Sequence, residues 1–149
     1  MTSKRRLGGL LGGAAVATAA GVATALMPAV AANAAGHHVG TIAGVESRCN
    51  SSVYTLCLYY NSSTTTAYWG TSSNVSNLVN DTFFSGTGAG SGQAVKNNAA
   101  AASCDLLSSG KCYIFFNSNY GGNYDYLNGQ ETGQLYYTYN EDASVKVVY

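Results

Sequence analysis

From Val53 to the C-terminus, short aromatic and aliphatic runs are punctuated by Asn, Ser, Thr and Gly. Runs of that length between turn-forming residues predict β-strands. In the first half, Val53 to Tyr60 reads as a strand, Asn61 to Thr66 as a polar turn, and Ala67 to Trp69 as a strand stopped by Gly70. Thr71 to Asn80 is polar around Val75, Leu78 and Val79, which suits a loop or one helical turn, and Phe83-Phe84 is an apolar plug. Gly86 to Gly92 lacks the spacing and the Lys-Ser/Thr ending of a phosphate-binding loop, so it reads as a mobile connection with permissive φ. Ala94 to Ser103 reads as a strand edge or cap. In the second half, Cys112 to Asn117 predicts a strand, Asn119 to Gly122 a turn, and Tyr124 to Tyr126 a returning strand. Asn128-Gly129 is a turn signal, Leu135 to Tyr139 a strand, Asn140 to Ser144 a bend, and Val145 to Tyr149 the last strand. About four short strands per half, with a turn roughly every ten residues, predict an all-β sandwich or Greek-key barrel.

Residues 1–34 do not share this pattern. Lys4, Arg5 and Arg6 precede an Ala/Gly-rich apolar run that ends in small residues, the layout of a secretory signal peptide. Cleavage is expected before Ala35, after Ala32-Asn33-Ala34, with Ala29-Val30-Ala31 as the second candidate. That leaves 115 residues (149 − 34), enough for one domain with a core. The mature chain keeps four basic residues (7 − 3) against seven acidic ones, a formal charge of −3. Such a balance excludes an electrostatic nucleic-acid binder and adhesion to anionic membranes. All twelve Tyr, four Phe and the one Trp lie beyond residue 34, with plentiful Asn, Ser, Thr and Gly, a composition that favours strands and turns over helices. Residues 35–47 read as a flexible N-terminal arm, and His37-His38 within it as a solvated pair.

Cys49 and Cys57 are separated by seven residues, and so are Cys104 and Cys112. Four cysteines in a secreted chain indicate disulfides, with three connectivities open. The repeated spacing favours Cys49–Cys57 and Cys104–Cys112; it is too wide for the short knuckles of a zinc site. With histidine only at 37 and 38, a Ser-His-Asp or Cys-His centre would have to be built from the arm. Asp81, Asp105, Asp125, Glu131, Glu141 and Asp142 show no diagnostic grouping, so no enzyme is expected.

Phe115, Tyr120 and Gly122 follow the pattern aromatic-x4-aromatic-x-Gly, which resembles the βγ-crystallin Greek-key motif. The resemblance implies a hairpin folded over the sheet, an aromatic corner, and a glycine in a conformation barred to a Cβ. The first half keeps a leading aromatic at Tyr59 or Tyr60 but has Thr or Ala where the corner and the glycine should be. Cys57–Ser62, Gly92–Ala100, Phe116–Gly122 and Tyr139–Ser144 together resemble peptidase inhibitor family I36, small secreted proteins of Streptomyces and relatives, over roughly residues 48–149. That likeness implies a disulfide-stabilised βγ-crystallin-like sandwich of two repeats, about 48–103 and 104–149. It also implies inhibition of thermolysin-like metalloproteinases.

The βγ-crystallin calcium pattern, Asn/Asp-Asn/Asp-x-x-Ser/Thr-Ser, has two partial copies here. Asn97-Asn98 is followed by Ala at both hydroxyl positions; Asn140-Glu141 is followed by Ser144 but not by a second serine. Asn97, Asn98, Asn140, Glu141 and Ser144 are therefore the candidate ligands for Ca²⁺, which takes six to eight oxygens. The expected role is a secreted, monomeric inhibitor of an extracellular protease. The competing readings are a noncatalytic structural or Ca²⁺-binding module and a small secreted toxin. The inhibitory loop is not identified by the sequence; residues 50–56, 105–111 and 61–67 are candidates.

Overall fold

The computed structural model describes residues 33–39, 42–43, 48–49 and 53–149. All but the last two residues of the expected leader lie outside the described residues. Among the described residues, nine strands form two sheets. The strands are β1 (Gly36–His38), β2 (Ile42–Ala43), β3 (Leu56–Tyr60), β4 (Tyr68–Thr71), β5 (Ala99–Cys104), β6 (Lys111–Asn117), β7 (Gly121–Asn128), β8 (Glu131–Gln134) and β9 (Ser144–Val148). One sheet has the order β1-β7-β6-β9 and the other β2-β8-β5-β3-β4.

The halves are built alike and exchange strands. In each, a hairpin (β3–β4 or β6–β7) is joined by a later strand of the same half, β5 or β9. β8, from the second half, then extends the first-half sheet by pairing with β5. The reciprocal contribution is reduced to one bridge, where Val75 and Val145 exchange backbone hydrogen bonds of 2.9 Å in both directions. Each half thus completes the other's sheet, which makes a single cooperative unit the expected folding behaviour.

Period-two patterning sorts the side chains between faces. Leu56, Leu58, Cys112, Ile114, Leu127, Val145 and Val147 point between the sheets and are fully or nearly buried. On β3 the alternate residues Cys57 and Tyr59 face away, yet they too are buried, in a second cluster with Cys49 and Ala101 beneath Tyr54 and Tyr68. Both faces of β3 and β5 are therefore covered. That explains the alanine run: β5 is a central strand buried along its whole length, where small side chains let layers close on both faces. It is not an edge or cap.

Both disulfides are local: Cys49–Cys57 and Cys104–Cys112, each with a Cα–Cα separation of 5.8 Å. The second joins β5 to β6 and so ties one sheet to the other.

Three expectations are corrected. Leu135 to Tyr139 is not a strand: the ladder is made by Glu131–Gln134, and the chain then turns around the buried carboxylate of Asp125. That carboxylate accepts the backbone N–H of Tyr136 (2.9 Å), Tyr137 (3.3 Å) and Thr138 (2.8 Å) and the Thr138 hydroxyl (2.7 Å). The arm is not loose over its described length: β1 pairs in parallel with β7, and β2 antiparallel with β8. Its histidines are partly exposed but engaged, His37 Nδ1 with Asp125 at 3.2 Å and His38 Nε2 with Glu131 at 2.8 Å.

Candidate functional site

The two hairpins show how far the repeats have diverged. In the second, β6 leads into a 3-10 turn (Ser118–Tyr120), and Asn119, Tyr120 and Gly122 all take positive φ. Tyr120 packs edge-on against Phe115, with centroids 5.8 Å apart, and a Cβ on Gly122 would meet the Asn117 amide at 2.8 Å. The corner is held from β9: the Ser144 hydroxyl accepts the Tyr120 N–H at 3.0 Å and donates to the Asn117 carbonyl at 2.7 Å. In the first hairpin Thr66 substitutes for the aromatic corner, its hydroxyl donating to the carbonyls of Tyr60 and Ser63. The glycine-rich segment then folds onto that hairpin. The Ala67 N–H reaches the Ala89 carbonyl at 2.9 Å, and Gly90, at φ +93°, lies against the Tyr60 ring where a Cβ would collide. The segment expected to be a free connection is thus a packed lid over the first turn.

Asn97 and Asn140 occupy equivalent places where the halves cross. Both have positive φ (62° and 55°). The Asn97 N–H donates to the Asp142 carbonyl at 2.9 Å, and the Asn140 N–H donates to the Ala99 carbonyl at 2.7 Å. The predicted cation residues are therefore brought together crosswise. Asn97, Asn140 and Glu141 are exposed, and Asn98 is half-buried with its amide nitrogen on the Ala94 carbonyl at 3.0 Å. Ser144 is buried and committed to the β6–β7 corner, so it is the member the structure sets apart.

Asp142 is the residue that sequence reasoning missed here. It is fully buried; its Oδ1 accepts the N–H groups of Asn98 (3.2 Å) and Ala99 (2.9 Å). Its Oδ2 is buried without a hydrogen-bond partner among the described residues. Burial, only partly offset by the backbone N–H of Ala99 and neighbouring amides, pushes its carboxyl up to about 7. An unsatisfied buried carboxylate oxygen is costly unless a proton or a cation meets it. Its own motif offered a weak signal, since an acidic residue sits between the two expected ligand positions.

The opposite end of β3 carries a different arrangement. There the loop 105–111 leaves β5 and returns into β6 across the Cys104–Cys112 bridge. The Asp105 N–H donates to the Thr55 carbonyl at 2.7 Å. Gln130, at φ +68° in the β7–β8 turn, donates its amide to Asp105 Oδ1 (2.7 Å) and to the Leu106 carbonyl (2.8 Å). Gly110 N–H closes the loop on the Leu107 carbonyl at 2.8 Å. Leu106 is anchored in the core, whereas Leu107 is 82 % exposed. Beside it lies a cleft of about 360 Å³, lined by Thr55, Ser72, Leu107 and Tyr149 among others. The structure thus gathers 105–111 and the described part of 50–56 at one pole, and places 61–67 at the other, beside Tyr139 and the crossed loops.

Among solved structures, one reported as "Evolution of the eye lens beta-gamma-crystallin domain fold" superposes with a TM-score of 0.51 at 17 % identity, covering 73 % of this chain and 97 % of that one. The fold is that of the βγ-crystallin domain. No family model matches the sequence, and no curated protein matches it. The βγ-crystallin architecture accounts for the exchanged strands, the two hairpins and the crossed loops between them. Among the described residues no helix is long and apolar enough to cross a membrane.

Proposed function

We propose that this chain is an extracellular, noncatalytic βγ-crystallin-type domain that inhibits a proteinase, with thermolysin-like metalloproteinases as the first target class. This reading aligns it with peptidase inhibitor family I36. The observation that carries it is the loop 105–111. A bare apolar side chain, Leu107, stands at the tip of a segment held by a disulfide, by a hydrogen bond to the Thr55 carbonyl and by hydrogen bonds from Gln130. A loop braced in this way loses little conformational freedom on entering a cleft, and that is where preorganised inhibitors gain affinity. Its ends cannot separate after a cut, so the cleaved loop stays in place to be resealed. Two disulfides suit an oxidising compartment, consistent with secretion. The test is titration of a thermolysin-like enzyme with the purified protein, alongside Leu107→Asp. The wild type should abolish peptidase activity at micromolar concentration and the variant should not.

A second reading rests on Asp142: the domain is a cation-stabilised module. The unpartnered Oδ2 belongs to the loop that carries the exposed Asn140 and Glu141 and that accepts the Asn97 N–H at the Asp142 carbonyl, and oxygen donors of this kind suit a hard cation. Asn97, Asn98, Asn140, Glu141 and Asp142 would hold it, and it would clamp the two halves at their crossing. The expected signature is a Ca²⁺-dependent rise in melting temperature, by linkage, that Asp142→Asn abolishes.

A further inference from the structure

The outer face of the β1-β7-β6-β9 sheet carries a continuous group of rings that neither reading uses. Tyr113 stands opposite Tyr126, and Phe115 opposite Tyr124. Their centroids are 6.0 and 5.5 Å apart, and the diagonal Tyr113–Tyr124 distance is 5.8 Å. His38 stacks on Tyr126 at 5.0 Å and extends the group onto β1. Tyr120 extends it over the hairpin corner. Gly36 makes this surface flat, because the Tyr124 ring lies across it where a Cβ would stand. Between the rings and β9 runs a shallow trough of about 310 Å³, bounded by Lys146 and Val148. Lys111 sits over the Tyr126 ring at 4.8 Å, and Lys146 faces outward opposite Tyr113. Among the described residues on this face there is no carboxylate aimed at either lysine; Glu131 at the rim is taken up by His38 and Asn128.

We infer that this face binds an acidic polysaccharide, an extended chain of pyranose rings bearing carboxylates. Half-exposed rings held apart on a rigid sheet present their negative π-faces to the positive C–H faces of sugar rings, and both surfaces shed water on contact. Tyrosine hydroxyls supply hydrogen bonds to sugar hydroxyls without losing ring area. A flat, shallow platform suits an extended polymer better than an enclosed small molecule. Lys146 selects for carboxylates by charge complementarity, while Lys111 is held on the Tyr126 ring and by Asn128 Oδ1 at 2.7 Å. Single-stranded nucleic acid would use the same rings, but it needs a cationic track along its backbone. Among the described residues this face carries Lys111 and Lys146, which do not make such a track.

The experiment is affinity electrophoresis of the purified protein through gels containing polygalacturonate or neutral dextran, with a parallel fluorescence titration against oligothymidylate. Retardation by polygalacturonate above that by dextran is expected. Tyr113→Ala should weaken it about five- to tenfold. Lys146→Gln, at an exposed position, should weaken it about threefold and reduce its salt dependence. If Tyr113→Ala fails to fold, Lys146→Glu decides, and it should remove the retardation. No retardation by polygalacturonate, equal retardation by dextran, unaltered retardation of the variants, or tighter binding to oligothymidylate would each overturn the inference.

Discussion

Two buried carboxylates do opposite work. Asp125 is saturated: its oxygens take three backbone N–H groups and a hydroxyl, so it shapes the turn that follows β8. Removing it leaves those buried donors unmet, and Asp125→Ala should cost about 3 kcal/mol or more by denaturant unfolding. Asp142 is half-satisfied, and its carboxyl is raised from 3.8 to about 7, chiefly by burial. Between those values the folded chain holds a proton that the unfolded chain releases, so this group's contribution falls as pH rises through the window and levels off above about 7. In chelator, the stability of wild type relative to Asp142→Asn should therefore decline from pH 4.5 to pH 7.5, as read by urea denaturation. An unchanged difference would show that the proton is not shared between the states as argued. Neither role was legible in the sequence. Asp125 reads as one acidic residue among aromatics, and its partners lie eleven to thirteen residues away.

At the scale of elements, the hairpins and the cysteines were legible, because local spacing determines them. Phe115, Tyr120 and Gly122 form the corner that their spacing implied. Gly122→Ala must place a Cβ at φ +76° against the Asn117 amide, and it should cost about 1–3 kcal/mol. Gly90→Ala should be at least as damaging, because its Cβ would strike the root of the Tyr60 ring, which cannot swing away. Equal stability of both variants and wild type would mean that the glycines do not hold these corners. The strand expected at Leu135 to Tyr139 failed for an identifiable reason. Its aromatic run has strand composition, but the polar Glu131–Gln134 meets the free edge of β5 first, and Asp125 captures the backbone beyond it. The burial of the Ala99–Cys104 strand was equally hidden, since alanine carries no periodic signal.

For the whole molecule, strand exchange separates two poles on one rigid sandwich. The crossed loops around Asp142 lie at one end of β3 and the braced loop 105–111 at the other, so the poles should respond independently. Leu107→Asp, at a surface position, should leave the melting temperature and its Ca²⁺ dependence unchanged. Replacing Cys104 and Cys112 together by Ser should remove about 2–3 kcal/mol of stability and with it the bracing of loop 105–111. The crossing of the Asn97 and Asn140 loops was legible because each half carries its own copy of the motif. The exposed Leu107 was not, because its neighbour Leu106 is equally apolar and only the fold decides which of the two is buried. The most direct measurement is the residual activity of a thermolysin-like metalloproteinase titrated with the purified wild-type protein and with Leu107→Asp. Stoichiometric loss of activity with the wild type, relieved at least tenfold in the variant, is the predicted result. Full activity at micromolar wild type, or equal inhibition by the variant, would contradict it.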